Sequence, residues 1–475
     1  MALDYENLDT YLEEAAREAA FAEYTREPDW SYEGDDSVVF KANFGESYTI
    51  QRIYLDGRAY SGGTNLGTSI PYEEDAGLAA LYAELVSSWR ASLDAVVVGW
   101  DDLPEGSKLD GIKAACLLAL QKVAGTAGDG GSTLPNPDLE AIAFIEHFLP
   151  SPEDSGQTIG AFYSSYGPPR LSSVLDSHCQ AIAALGVGIT GTQELFDTAR
   201  EDTVTLAANV VEAFRATREG AKPSGLETVL KIMGASLDLV GAFAGPAAAT
   251  IGGLKAGTSF LSTALGLIPK PKQQSQKYSG SSPKEVLEEF KAGFEAIADR
   301  AREHDLGLTD ALNSMRLAVD NGHNRRNFHI NPHDGVADLG DDIIDLKYRH
   351  LETIGYDKMP MVARAFFHAA NKVEDADKID DWYRPYEVGG GSYGAYFAWS
   401  ELASRIIPLL NDNGAEVVQA GEDLAVAAGW IRESDEGVKR IVGKDFEHVE
   451  NAQLGWVPPP APPQPPRRGG PTPYP

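Results

Sequence analysis

The spacing of apolar residues predicts a chain built mostly of helices. Over residues 4–25, Leu8, Leu12, Ala15, Ala16 and Ala19 recur at three- and four-residue steps between acidic positions, the stripe of an amphipathic helix. The period then changes. Residues 28–70 hold the runs SVVFKANF and YTIQRIYL, β-branched and aromatic with partial alternation, separated at Gly45 and closed by Asp56-Gly57. Two to four short strands are expected, as a small β insertion near 35–70 and the only β region of the chain. Helical periods return over 73–98, 108–126 and 138–149. Breaks rich in Gly and Pro stand at 125–137 and from Pro152 to Pro169, before a long helical stretch over 171–219.

From Leu239 to Leu254 no residue is charged, and after Lys255 a second uncharged run ends at Pro269. Each run is shorter than the roughly 20 apolar residues that span a bilayer. Gly241 and Gly245 stand four apart, as do Gly253 and Gly257, a spacing that lets helices approach closely in water or in lipid. An apolar Gly/Ala hairpin over 228–269 is expected, either buried in a bundle or entering a membrane. Residues 270–283 (KPKQQSQKYSGSSP) read as a polar linker. Helices resume over 284–388, interrupted by an irregular loop at 321–340 and ending in a Tyr- and Gly-rich loop. Two helical segments, 395–411 and 413–443, flank a polar break at Asn411–Gly414. After Val457 the sequence PPPAPPQPPRRGGPTPYP cannot form helix or sheet ladders and is expected as polyproline II and disordered coil. The fold class is therefore mainly α: an elongated multi-helix bundle with a small β insertion. Its regions are 1–269, the linker 270–283, 284–388, 389–456 and the tail 457–475.

Charge narrows the function. The chain has 71 Asp and Glu against 40 Lys and Arg, a formal net charge of −31 over 475 residues. Binding to nucleic acid, which needs cations to displace counterions from phosphates, is not expected. Nor is electrostatic docking on anionic lipid. The acidic, amphipathic start lacks the basic and apolar regions of a Sec signal. Two cysteines, Cys116 and Cys179, sit in apolar helical surroundings and read as core thiols, with a single disulfide between them as the alternative.

Few constellations carry chemistry. His323, His329 and His333 lie near Asp334, but at spacings that match no standard zinc pattern, so they are weak metal candidates. Gly390-Gly391-Ser392-Tyr393-Gly394 has the letters of a nucleophile elbow, which needs a strand before it; Ser392 is a weak catalytic candidate. No cofactor is expected. No Walker A or HExxH motif occurs.

The most specific local signal is the layout over 389–442: a Gly-rich entry, a helix, the break at Asn411–Gly414, and a second helix carrying AEVVQAGEDLAVAAGWIRESDEGVKRI. It resembles the WXG-like helical-hairpin proteins associated with the actinobacterial type VII (ESX) secretion system. The resemblance implies a non-enzymatic protein, secreted or displayed at the cell surface by a non-Sec route. Its partners would be a secretion chaperone or a paired hairpin protein, with a second copy of the chain as a further candidate. It also implies an export determinant of the form Y-x-x-x-D/E. Here Ile431 and Asp435 occupy those positions, and Trp430 supplies an aromatic one residue earlier. Two readings of other classes stand beside it: a membrane-active effector that inserts the hairpin at 239–268, and a toxin enzyme with an unrecognised site.

Overall fold

The computed structural model describes residues 4–448 apart from 25, 27–28, 34–35, 45–46, 66–67, 125–135, 151–156, 219–226, 231–273, 322–326 and 331–347. A short 3-10 turn leads into α1 (Leu8–Tyr24), and the predicted stripe from Leu8 to Ala19 is its buried face. Five antiparallel strands follow in up-and-down order: β1 (Trp30–Tyr32), β2 (Ser37–Phe44), β3 (Ser47–Tyr54), β4 (Ala59–Asn65) and β5 (Thr68–Glu74). The register sets Val38, Ile53 and Ala59 side by side, and all three are buried. The small β insertion is thus present, but with more strands than expected. The two edge strands hid for physical reasons. β1 has three residues, too few to show alternation. β5 is exposed throughout and has no apolar face to read. Its Pro71 and two glutamates suit an edge, where a missing N–H is harmless and charge deters further pairing.

Helix α2 (Ala76–Val97) starts at Asp75, whose side chain accepts from the backbone N–H groups of Gly77 and Leu78. It is followed by α3 (Asp110–Val123), α4 (Pro137–Phe148), α5 (Gln157–Tyr166) and α6 (Pro168–Arg218). Helix α5 occupies a stretch expected as loop. Only Gly167 separates it from α6, and Pro168 and Pro169 fit the first turn of a helix, where no N–H is needed.

Helix α6 is the axis of the molecule. From His178 to Gln193 every residue is buried and none is charged, so the helix is covered on all sides. Around it pack α1, α3, α7 (Pro283–Asp320) and, further along the chain, α10 (Tyr396–His448). Helix α7 comes closest at Gly191, where a Cβ would press into Leu308. There His304 Nε2 donates to the Gly191 carbonyl at 3.1 Å. On the α1 side, buried Glu18 accepts from Arg215 at 3.1 Å and from Arg218 at 2.6 Å, so no charge is left alone.

A second β element lies outside the region where strands were expected. β6 (Glu227–Leu230) pairs antiparallel with β7 (Gln274–Lys277). Strands as short as ETVL and QSQK carry no alternation, and backbone ladder bonds define them. β7 falls inside 270–283, the stretch read as a linker. Ser282 in the same stretch caps α7, accepting from the Glu285 N–H. The apolar sequence between the two strands, with Gly241, Gly245, Gly253 and Gly257, lies outside the described residues.

Beyond α7, helix α8 (Tyr348–Thr353) passes through one π turn (Ile354–Lys358) into α9 (Met359–Asp375). Helix α10 then corrects the expected hairpin over 389–456. It runs unbroken for 53 residues through Asn411–Gly414. The polar letters that suggest a turn serve tertiary contacts instead. Asn413 is fully buried, and its Oδ1 accepts from the Ile330 N–H at 2.8 Å. Its Nδ2 donates to the Phe328 carbonyl at 2.8 Å and to His178 Nε2 at 2.9 Å. Gly414 leaves room for the Phe367 ring. Tertiary bonds thus override the local turn preference of Asn and Gly. Replacing Asn413 by Ala strips the Ile330 N–H, the Phe328 carbonyl and the His178 ring of this partner. A loss of about 2–4 kcal/mol in urea unfolding is expected, against under about 0.5 kcal/mol for Ala at exposed Asn411.

Candidate functional site

Between α9 and α10 the chain forms a corner of aromatics and glycines. Two 3-10 turns, Ile379–Trp382 and Tyr386–Val388, flank an extended Tyr383–Pro385. Arg384 points inward and is buried, as is its partner Asp305 on α7, to which Nη2 donates. The same Nη2 donates to the Gly389 carbonyl at 2.6 Å, and Nε donates to the Gly391 carbonyl at 3.2 Å. The Arg384 backbone N–H donates to the Ser392 carbonyl at 3.0 Å. The Gly-rich loop is therefore wound round one guanidinium with its carbonyls turned in. Only glycine permits that path. Gly389, Gly390 and Gly391 have φ of 90°, 73° and 87°, and a Cβ on Gly390 would collide with Asp305.

The corner is fixed to the core through two tryptophans. Trp399 Nε1 donates to the Leu185 carbonyl of α6 at 3.0 Å, and the buried Trp382 ring lies 5.9 Å from Trp399. The Tyr396 hydroxyl donates to Asp377 at 2.7 Å. Outward from this base the rings become exposed. Tyr383 is 49% exposed, Phe397 60% and Tyr386 75%. Tyr383 meets Tyr393 edge-on at 5.9 Å, and Tyr393 meets Phe397 edge-on at 5.9 Å. Large exposed rings held on a buried base make this corner the candidate recognition surface.

The residues singled out in the sequence are scattered. Ser392 lies in this corner, but a 3-10 turn precedes it where a nucleophile elbow needs a strand, and its carbonyl is engaged by Arg384. Trp430 is 58% exposed on α10, about 50 Å along the helix from Tyr396. Ile431 and Asp435 share one face of that helix at an i, i+4 spacing, and their side chains are outside the described residues. His329 is half-buried, with its carbonyl accepting from Arg170 at 2.8 Å. His323, His333 and Asp334 lie outside the described residues. Among the described residues no group of His, Cys, Asp and Glu is placed to hold a metal. Cys116 and Cys179 are buried free thiols whose pKa burial pushes up. The corner itself was noted in the sequence only as a Tyr- and Gly-rich loop. Its organising pair, Arg384 and Asp305, is 79 positions apart and leaves no local trace.

Two buried imidazoles set a pH response. Desolvation lowers the pKa of both His178 and His304 to about 4. At His178 the Asn413 amide donates to Nε2, so a proton there would face another donor. At His304 the nearby Arg384 charge adds to the effect. Both rings are neutral in the native state and charged in the unfolded chain below about pH 6.5. Stability is present above that value and falls as pH drops toward 4, by up to about 3 kcal/mol per histidine. Burial raises the Asp305 pKa against the pull of Arg384, which works in the opposite direction. Urea unfolding should therefore show a decline between pH 6.5 and 4 that shrinks in His304→Gln, which keeps an N–H for Gly191. NMR should show neither ring titrating above pH 5. Comparison of the chain with family models, with curated proteins and with solved structures finds no match.

Proposed function

We propose that this is a non-enzymatic protein of a type VII-like export system that works through helical surfaces. The observation that supports the reading is the course of α10. Its first part is locked into the core through Trp399, Leu402, Ile406, Leu410 and Val417, down to Ala428, and then it presents Trp430 to solvent. Arg432 holds this stretch against α8, donating to Glu352 at 2.6 Å. An export determinant must be readable while the body is folded, and an aromatic on a continuous, anchored helix meets that need. Because the hairpin is replaced by one helix, recognition would read a helix face, with Ile431 and Asp435 one turn apart, instead of a helix–turn–helix.

The structure also decides how to test this. Removing 389–456 would take out core residues such as Trp399 and unfold the body. Trp430→Ala with Asp435→Ala touches none of those core residues. Expressed in an actinobacterial host with a type VII system, this variant should accumulate in cells at the parental level, with unchanged circular dichroism, and disappear from the medium. Undiminished appearance in the medium would remove the reading.

A second reading is favoured by one observation of its own. The β6–β7 pairing sets Leu230 opposite Gln274, so the two ends of the stretch 231–273 are held side by side. A membrane-inserting excursion needs such a closed base. Among the described residues no helix is long and apolar enough to cross a membrane. On this reading the protein should release dye from liposomes, and Gly245→Glu should suppress release. No release at neutral or acidic pH, with or without protease, would eliminate it.

A further inference from the structure

Among the described residues nothing covers the outer rings of the aromatic corner, and the chain carries a sequence of matching chemistry. Residues 458–468 read PPPAPPQPPRR. Prolines three apart, as at Pro462 and Pro465, followed by Arg467, form the P-x-x-P pattern that docks in polyproline II form on aromatic-lined surfaces. Such ligands lose little conformational freedom on binding, because the prolines restrict them beforehand. The corner offers what they need. Tyr383, Tyr393 and Phe397 follow one another at centroid steps of 5.9 Å, so the outer rings lie within about 12 Å, on the scale of one roughly 9 Å turn of a polyproline helix. Charge is complementary as well. Between 377 and 387 the corner carries Asp377, Asp380, Asp381 and Glu387 against Lys378, since Arg384 is buried and paired with Asp305. The proline segment 458–468 carries Arg467 and Arg468 and no Asp or Glu.

Reach decides which copy of the segment is used. Helix α10 begins beside the corner and runs 53 residues, about 80 Å. Pro458 stands 10 residues beyond His448 and Arg468 stands 20 beyond it. Fully extended, those stretches span at most about 35 Å and 70 Å. The segment therefore falls short of the corner of its own chain. We propose that the corner formed by Tyr383, Tyr386, Tyr393 and Phe397 binds the proline-rich segment 458–468 of a second copy. Each copy then offers one donor segment and one acceptor corner. The contact is head-to-tail, and it closes into a ring or continues as an open chain.

The test uses the full chain and a labelled peptide of residues 456–470. The peptide should bind the wild-type protein, with binding weakened by salt and by Arg467→Glu with Arg468→Glu. Tyr383→Ala with Phe397→Ala alters exposed rings and should leave the far-ultraviolet circular dichroism unchanged. It should weaken peptide binding more than about tenfold, as expected for truncating aromatic anchors. Sedimentation velocity at rising concentration should show self-association of the wild type. That association should be lost both in the double variant and in a chain ending at Gly455. Peptide binding that survives Tyr383→Ala with Phe397→Ala overturns the site. Association that survives removal of the segment overturns the occupant. Specific peptide binding without self-association overturns the second copy as partner and assigns the corner to a proline-rich segment of another protein.

Discussion

The uncharged middle of α6 is the constraint to which the other elements conform. A helix covered on every side accepts neighbours only if they bring no unmet polar group with them. The two side-chain N–H groups that reach its carbonyls obey this. Trp399 Nε1 uses the Leu185 carbonyl, and His304 Nε2 uses the Gly191 carbonyl. A helical carbonyl has a second lone pair for such a bond. Leaving a buried indole or imidazole N–H without an acceptor costs about 1–3 kcal/mol. Each bond therefore indexes one neighbouring helix, α10 or α7, against α6. Rotating either by a single residue would lose the bond and bury the donor.

The aromatic corner follows from those two fixed points. His304 sets the neighbouring Asp305, which holds Arg384, and Arg384 collects the carbonyls of the Gly-rich loop. Trp399 sets the start of α10 and the ring stack that ends at Phe397. The corner breaks local rules at several positions. It holds four glycines at positive φ, and Asp305 Oδ1 and Arg384 Nη1 have no hydrogen-bond partner among the described residues. It also leaves large rings in water. Such departures persist where the surroundings over-determine them, and they concentrate at sites of recognition.

What the sequence disclosed follows the range of the interaction responsible. The stripe of α1 and the central strands were legible because one face of each is buried and the period records it. Edge strand β5 was not, because neither face is buried. Composition alone points to LVGAFAGPAAATIGGL, a run without charge, as the apolar centre. The buried axis described here, HCQAIAALGVGITGTQ, looks more polar because of His178, two threonines and two glutamines. Much of that polarity is met internally, although Gln180 Oε1 and His178 Nδ1 have no hydrogen-bond partner among the described residues. Thr190 and Thr192 donate to the carbonyls of Gly186 and Gly188 one turn back, and His178 accepts from Asn413. Composition counts those hydroxyls as polar, whereas the folded helix has already satisfied them. Asn413 reversed the expectation for α10 in the same way. Its preference for a turn is local and weak, while its three buried bonds join segments some 83 to 235 positions apart.

The charge of the whole molecule bears on how such a surface can be used. The formal value of −31 includes +2 from Arg467 and Arg468, so the rest of the chain carries −33. Two bodies of that charge repel as they approach, and salt screens the repulsion only beyond about 8–10 Å. Contact between like bodies is therefore disfavoured over broad faces and tolerated only through something that projects and neutralises. The proline-rich segment 458–468 has the composition for that role, with two cations, no acidic side chain, and prolines that lower the ordering cost of docking. Ring exposure alone would invite indiscriminate association. Carboxylates close to the rings in sequence, at Asp380, Asp381 and Glu387, would turn away acidic surfaces and admit a cationic, proline-rich one. The acidity that argues against nucleic acid as a partner would thus also act as a filter at the corner, favouring a segment over a face.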